Sequence, residues 1–236
     1  MSTATRDYLD LSQTEHAALF DPDEPAWAAL SRIATYLDGL LDAAASAGPL
    51  IQGQVHERAV VGDRVWIAPG AVVEAQVVIQ GPAWIGAGTV VRSGAYLRQQ
   101  VIAGRDCVLG NSCEFKNAVL FDRCEVPHFN YVGDSILGYR AHLGAGTICS
   151  NVRLDRRNVR LRLPGETDPI DTGLRKFGAI VGDRTEVGCN SVLSPGSLLG
   201  RDCIVYPGTQ WQGVLPSGRI VKLRQALEIT ERRGGG

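Results

Sequence analysis

VHERAV, VGDRVW, IAPGAV, VEAQVV, IQGPAW, IGAGTV and VRSGAY: read in sixes from Val55, residues 55–97 repeat one pattern, and Leu97 opens the next unit. Position one is Val55, Val61, Ile67, Val73, Ile79, Ile85, Val91 and Leu97, aliphatic without exception. Four residues after each comes Ala59, Val65, Ala71, Val77, Ala83, Thr89 or Ala95, nearly always small. An amphipathic helix returns an apolar residue every three to four positions, and a half-buried strand every second one. A fixed period of six fits neither and marks a parallel β-helix, an all-β solenoid. Three sixes make one triangular coil, each side a short strand stacked on the coil below. The first residue of each six points into the prism, and the small residue lies near the corner. Gly70, Gly88 and Gly94 fall at turn positions, where glycine tolerates positive φ. Each coil buries about three aliphatic side chains at about 1.5–3 kcal/mol apiece. No coil closes its own core, so stability grows only by stacking.

Outward from this stretch the chain changes character. Residues 1–50 read as a helical arm: Asp23-Glu24-Pro25 is a helix start. Trp27, Leu30, Ile33, Ala34, Leu37, Leu40 and Leu41 then recur at helical spacing until Gly48-Pro49. The spacing predicts a helix over 24–46 and a shorter one over 13–20, used as a cap over the first coil or as an arm on a neighbouring subunit. The β-helix is expected over 51–210. Beyond Leu97 the phase is read as slipping, with Ile102 opening a six and Leu109, Phe115 and Phe121 carrying the next phase, which Leu137 and Leu143 resume. Residues 152–175 interrupt it. Val159, Leu161 and Leu163 alternate with Arg160 and Arg162, Pro164-Gly165 offers a turn, and 168–171 runs back, which predicts a β-hairpin thrown out of a coil. Insertions in solenoids map to loops on one face, often the binding face. The repeat returns at Val181 and ends after Trp211. Residues 211–236 are expected to be strand pairs sealing the far end, then a tail.

Composition narrows the classes. With 24 Lys and Arg against 25 Asp and Glu, the net charge of −1 argues against nucleic acid or an anionic membrane as partner. No signal peptide or membrane-spanning run is read, so the expected location is cytoplasmic. The cysteines, at 107, 113, 124, 149, 189 and 203, form neither a metal pattern nor an evident disulfide ladder, and reduced thiols are expected.

The ionisable residues gather between Leu97 and Lys176. Pro127-His128-Phe129-Asn130-Tyr131-Val132-Gly133-Asp134 is followed by Leu143-Gly144-Ala145-Gly146-Thr147-Ile148-Cys149-Ser150-Asn151. The hexapeptide pattern resembles the left-handed β-helix acyltransferases, and that resemblance supplies the handedness. Over residues 98–208 the motifs are similar to the acetyltransferase domain of the bacterial bifunctional enzyme that acetylates glucosamine-1-phosphate and then uridylylates the product. There they read H-x-x-Y-x-G-D and I-G-A-G-T-x-x-x-N. No Gly-rich nucleotide-binding loop precedes the repeats, so the uridylyltransferase domain is expected to be missing.

The resemblance implies an N-acetyltransferase with acetyl-CoA as acyl donor, no metal, and a homotrimer with active sites between neighbouring prisms. His128 is the implied general base: the acceptor amine arrives as an ammonium and must lose a proton, which an imidazole can take near neutral pH. Arg98 and Lys116 stand at the spacing of the family's phosphate-binding pair. A guanidinium fork and an ammonium suit a sugar-1-phosphate dianion. Tyr131 would add a hydroxyl to the phosphate, Asn151 would hold the amino sugar, and Lys176 would close the site. Ala145, Cys189 and Tyr206 correspond to coenzyme-facing positions. Two departures matter. His142 replaces an Asn that touches the sugar, and Cys189 replaces a Ser near the thioester. The hairpin adds Arg153, Arg156, Arg157, Arg160 and Arg162, either an arm for phosphates or a solvated edge. Besides a hexosamine-1-phosphate N-acetyltransferase, two readings stay open: an acyltransferase on another amino-sugar or hydroxyl acceptor, and a silent scaffold. A γ-type carbonic anhydrase needs three zinc-binding histidines. His16 lies in the arm and His56 in an early coil, which leaves too few.

Overall fold

In the computed structural model, which describes residues 2–230, the hexads wind into a left-handed parallel β-helix of about 9 turns. The first face is a nine-stranded sheet running from Gln54–Val55 to Ile220–Val221. The second face runs from Val60–Val61 to Gln210–Trp211, and the third includes Val65–Ile67, Val101–Ala103 and Ser197–Leu199. Val55 pairs with Val73, Val73 with Val91 and Val91 with Leu109, a spacing of 18 residues per coil. At the corners Gly70, Gly88 and Gly94 take φ of +79°, +71° and +80°. Arg64, Gln76, Gln100 and Asp106 hold the same left-handed conformation without glycine's freedom, and stacking against the coils on either side offsets that cost.

The phase does not slip after Leu97. Ala103 keeps the inward place there, and Leu109 and Phe115 follow it at intervals of six. Ile102 and Phe121 instead lie in a separate cluster on the outside of the third face. The slips fall later, where the inward residues Leu120 and Leu137 come five positions after Phe115 and Val132. Their cause is local to the corner between the second and third faces. Arg98, Gln99 and Gln100 separate Leu97 from Val101, but only Lys116 and Asn117 separate Phe115 from Ala118. Gly133 and Asp134 alone separate Val132 from Ser135. The backbone therefore runs through both corners as the continuous strands Glu114–Leu120 and Tyr131–Leu137. At the next coil the same corner opens into the insertion, whose Arg160–Leu161 and Ile170–Asp171 pair antiparallel.

The arm differs from its sequence reading in form and in place. The segment expected as a helix over 24–46 divides into a 3-10 helix, Ala26–Ser31, and an α-helix, Ile33–Ala47. The one expected over 13–20 is only the 3-10 turns Leu11–Gln13 and Ala17–Leu19. Packing overrides local propensity here, because the chain must run along a flat ladder of strands. Leu9, Phe20, Trp27, Leu30, Ile33 and Leu37 bury against Ile102, Val119, Phe121, Ile136, Phe177, Ile180 and Leu198. The arm thus covers the third face of its own prism. Asp183, fully buried, ties it down by accepting from the backbone N–H of Asp10 at 2.8 Å and of Tyr139 at 2.9 Å. Glu15 accepts from Trp84 Nε1 at 3.0 Å and pairs with Arg105 at 2.9 Å.

Next to Glu15, His16 is 1% exposed, edge-on to Trp84, with Nδ1 3.2 Å from the Tyr36 hydroxyl. Burial pushes its pKa down to about 4, against the raising effect of Glu15. An unfolded histidine titrates near 6.5, so between these values the unfolded chain binds the extra proton. The stability that neutral His16 contributes is complete above pH about 6.5 and is lost as pH falls toward about 4, on the order of 3 kcal/mol. Urea denaturation across that window, followed by tryptophan fluorescence, should show this fall, and His16→Gln should remove about one proton of slope. An unchanged slope in the variant would exclude His16 as its source.

Among the described residues past Trp211 there is no seal of paired strands. Val214–Leu215 and Ile220–Val221 stack in parallel on Ser197–Leu199 and Ile204–Val205, so the coil simply continues. Trp211 packs against the end of the core. Residues 222–230 carry no helix or strand, and the rest of the expected cap and tail, 231–236, lies outside the described residues. The six cysteines are free thiols, buried except for Cys189, and burial pushes Cys149 up to about 12.

Candidate active site

The two shortened corners gather polar side chains around one carboxylate. Asp134 is 3% exposed and sits at a corner with φ of +47°. Its Oδ1 lies 2.8 Å from Lys116 Nζ and accepts from Asn117 Nδ2 at 3.0 Å. Its Oδ2 accepts from Asn151 Nδ2, which also donates to the Tyr131 hydroxyl at 3.2 Å. Burial raises the Tyr131 pKa, and the Asp134 and Glu114 charges add to the effect. Gly133 lies beneath this fold-over: a Cβ there would sit 2.4 Å from the Tyr131 hydroxyl and 2.8 Å from Asn151 Nδ2. The Y-x-G-D spacing therefore has a steric reason. Asn117, which the sequence reading passed over, and Asp134, which it quoted without a role, are the centre of the network. The available signal was the missing residue in the hexad at each of them.

Arg98 stands one coil before Lys116 in the same column, since Leu97 pairs with Phe115. Its Nη1 bonds Glu114 Oε1 at 3.0 Å, which leaves most of the guanidinium fork free for another acceptor. Lys176 is exposed, and its backbone bridges to Val152 while Phe177 N–H donates to the Asn151 carbonyl at 3.0 Å. It stands beside Asn151 on the chain that returns from the insertion.

His128 ends the strand Glu125–His128 on the first face, just before the corner at Phe129. Its side chain is exposed and makes no hydrogen bond among the described residues, while its carbonyl accepts from Gly146 N–H at 3.1 Å. No hydrogen bond joins it to the Asp134 network. His142 lies farther along the first face, between the rungs of Glu125 and Glu186, with Nδ1 2.7 Å from Glu186 Oε2. With Cys189 and Tyr206 it lines a groove of about 330 Å³ whose walls include Gly144, Val187 and Pro207. Ala145 adjoins this groove, its carbonyl accepting from Asn190 N–H at 2.8 Å. One chain thus unites Lys116, Tyr131 and Asn151 at one edge of the second face, and His142, Cys189 and Tyr206 beyond its other edge. It does not join the two sets. Among the described residues no group of three or more His, Cys, Asp or Glu is placed to hold a metal ion. No helix there is long and apolar enough to cross a membrane.

Parts of the chain are similar to known proteins. Residues 79–162 match the family model described as the GMPPB C-terminal domain. The bifunctional protein GlmU of Methanococcus maripaludis (strain C5) is 32% identical over 139 residues, covering 59% of this chain and 33% of that protein. A bifunctional sugar-1-phosphate nucleotidylyltransferase/acetyltransferase of Sulfurisphaera tokodaii is 35% identical over 114 residues, covering 48% and 28%. Among solved structures, perosamine N-acetyltransferase from Caulobacter crescentus, in complex with CoA and GDP-perosamine, aligns at 20% identity with a TM-score of 0.32, covering 78% of this chain and 59% of that one. The chain spans about a third of the length of the curated relatives it matches. It is a left-handed β-helix of hexapeptide repeats, similar in sequence to part of the bifunctional GlmU proteins.

Proposed function

We propose that the protein is an acetyl-CoA-dependent N-acetyltransferase acting on a hexosamine-1-phosphate. The observation that carries this reading is the Asp134-centred network, which holds Lys116, Tyr131 and Asn151 beside Arg98 on one half-buried corner. A sugar phosphate presents the dianion that Arg98 and Lys116 suit, and hydroxyls for Tyr131 and Asn151. Similarity to the Sulfurisphaera tokodaii protein named as an acetyltransferase supports the reaction class. The groove of His142, Cys189 and Tyr206 has a mostly apolar wall, suited to the pantetheine arm of the coenzyme. In the reaction the neutral amine attacks the thioester carbonyl. The C–N bond forms, His128 takes the amine proton, the C–S bond breaks, and the proton passes to the departing thiolate. Because one chain keeps the acceptor network and the coenzyme groove on different edges, the reading includes a homotrimer in which a neighbouring copy completes each site. It also includes a cytoplasmic location.

A thiol-release assay with acetyl-CoA and a panel of hexosamine-1-phosphates tests the assignment. Arg98→Ala should raise the acceptor KM about 10- to 100-fold, the worth of a charge-assisted hydrogen bond, and leave the coenzyme KM close to its original value. Free glucosamine serving the unmutated protein as well as its 1-phosphate would overturn the phosphate role. One observation favours a second reading. His142 is held by Glu186 at a position where the resemblance implies an Asn that touches the sugar, and an imidazole there suits a different amino-sugar or hydroxyl acceptor.

A further inference from the structure

The arginine-bearing insertion takes no part in the site above. Val159 and Leu161 are buried in the cluster beneath the arm, so the alternate residues Arg160 and Arg162 point away from it. Gly196 lets the hairpin come this close. A Cβ at that position would lie 2.7 Å from Val159 Cγ1, and its φ is +82°. Between the hairpin and this corner lies a cleft of about 700 Å³, within the range that holds a ligand of nucleotide size.

Its chemistry is one-sided. Arg153, Arg160 and Arg162 line it against a single acid, Glu166, although the whole chain carries a net charge of −1. Arg153 is forked onto Asp155 at 2.9 and 2.7 Å, and Arg160 stands 3.4 Å from Asp171. Arg162 has no ion pair among the described residues. Guanidinium forks match phosphate oxygens in bidentate fashion. Pro164 and Pro195 give the cleft rigid apolar walls, which a bare phosphate would leave unused. We propose that this cleft binds a phosphorylated nucleoside, its phosphates on Arg160 and Arg162 and its base and ribose against the proline walls. Such a group has two sources here: the phosphoadenosine end of a coenzyme, or a nucleotide-linked sugar. The cleft shares no residue with the acetyl-transfer site.

Calorimetric titration of the intact chain with ADP, adenosine, pyrophosphate and CoA tests the proposal. ADP should bind more tightly than adenosine or pyrophosphate, and less tightly as salt is raised. The double variant Arg160→Gln/Arg162→Gln, altered at two exposed positions, should bind ADP about ten-fold or more weakly. Gly196→Ala, which leaves every charge in place, should also weaken it by pushing the hairpin outward. If CoA competes with ADP and loses the same affinity in the double variant, the occupant is the coenzyme. If CoA binds unchanged while ADP binding is lost, the occupant is a nucleotide-linked sugar. Absence of ADP binding in the millimolar range, equal binding by the double variant, or pyrophosphate binding as tightly as ADP would overturn the proposal.

Discussion

Replacing His128 with alanine will lower kcat for acetyl transfer about 10²–10⁴-fold, the usual worth of general-base help. The loss should be confined to catalysis. His128 is exposed and makes no side-chain hydrogen bond among the described residues, and the core beside it is built from Val126, Leu143 and their stacked neighbours. Thermal unfolding should therefore move little. His142→Asn should keep the rate of transfer and shift acceptor preference instead. Full activity in His128→Ala would remove His128 from the mechanism.

Asp134→Ala should be the most damaging change to stability at the site, about 3 kcal/mol in a urea titration. Its carboxylate is nearly inaccessible, and Lys116, Asn117 and Asn151 all donate to it. Truncation strands a largely buried ammonium and two amide donors, and it leaves alanine in a left-handed corner. Asp134→Asn keeps an acceptor and a residue tolerant of that corner, so its cost should be smaller. The neighbouring pair Arg98–Glu114 is a control: both side chains are well exposed, and Glu114→Ala should cost no more than about 1 kcal/mol. A loss within about 1 kcal/mol for Asp134→Ala as well would mean that the carboxylate does not hold the cluster together.

The solenoid was legible because inward residues at every sixth position leave a mark no other regular structure leaves. The exact course of the phase was not. Ala103 is small beside Ile102, and Leu120 is flanked by Phe121, so the larger neighbour attracts the reading although it faces outward. A second column was present in the sequence and went unread: Trp66, Trp84, Ile102, Val119, Ile136, Ile180, Leu198 and Val214 each stand one place before a third-face core residue. That column specifies where the arm lies. The helical spacing from Trp27 to Leu41 carries no information about the face to be covered, so it overstated the α-helix. Motif spacing singled out Lys116, Tyr131 and Asn151, which the fold does unite. It could not show that His142, Cys189 and Tyr206 form a separate groove, because that depends on which side of the triangle each residue occupies.

A stack of equal coils is a one-dimensional crystal, and no position in it differs from the next. The residues missing at Lys116-Asn117 and Gly133-Asp134 act as a dislocation in that lattice. They break its translational symmetry at one corner, and the polar network collects at the defect. Substitutions there can alter what the corner binds. Moving the corner along the prism requires adding a residue at one coil and removing one at another, so the location of such a site is inherited through chain length rather than through side-chain identity.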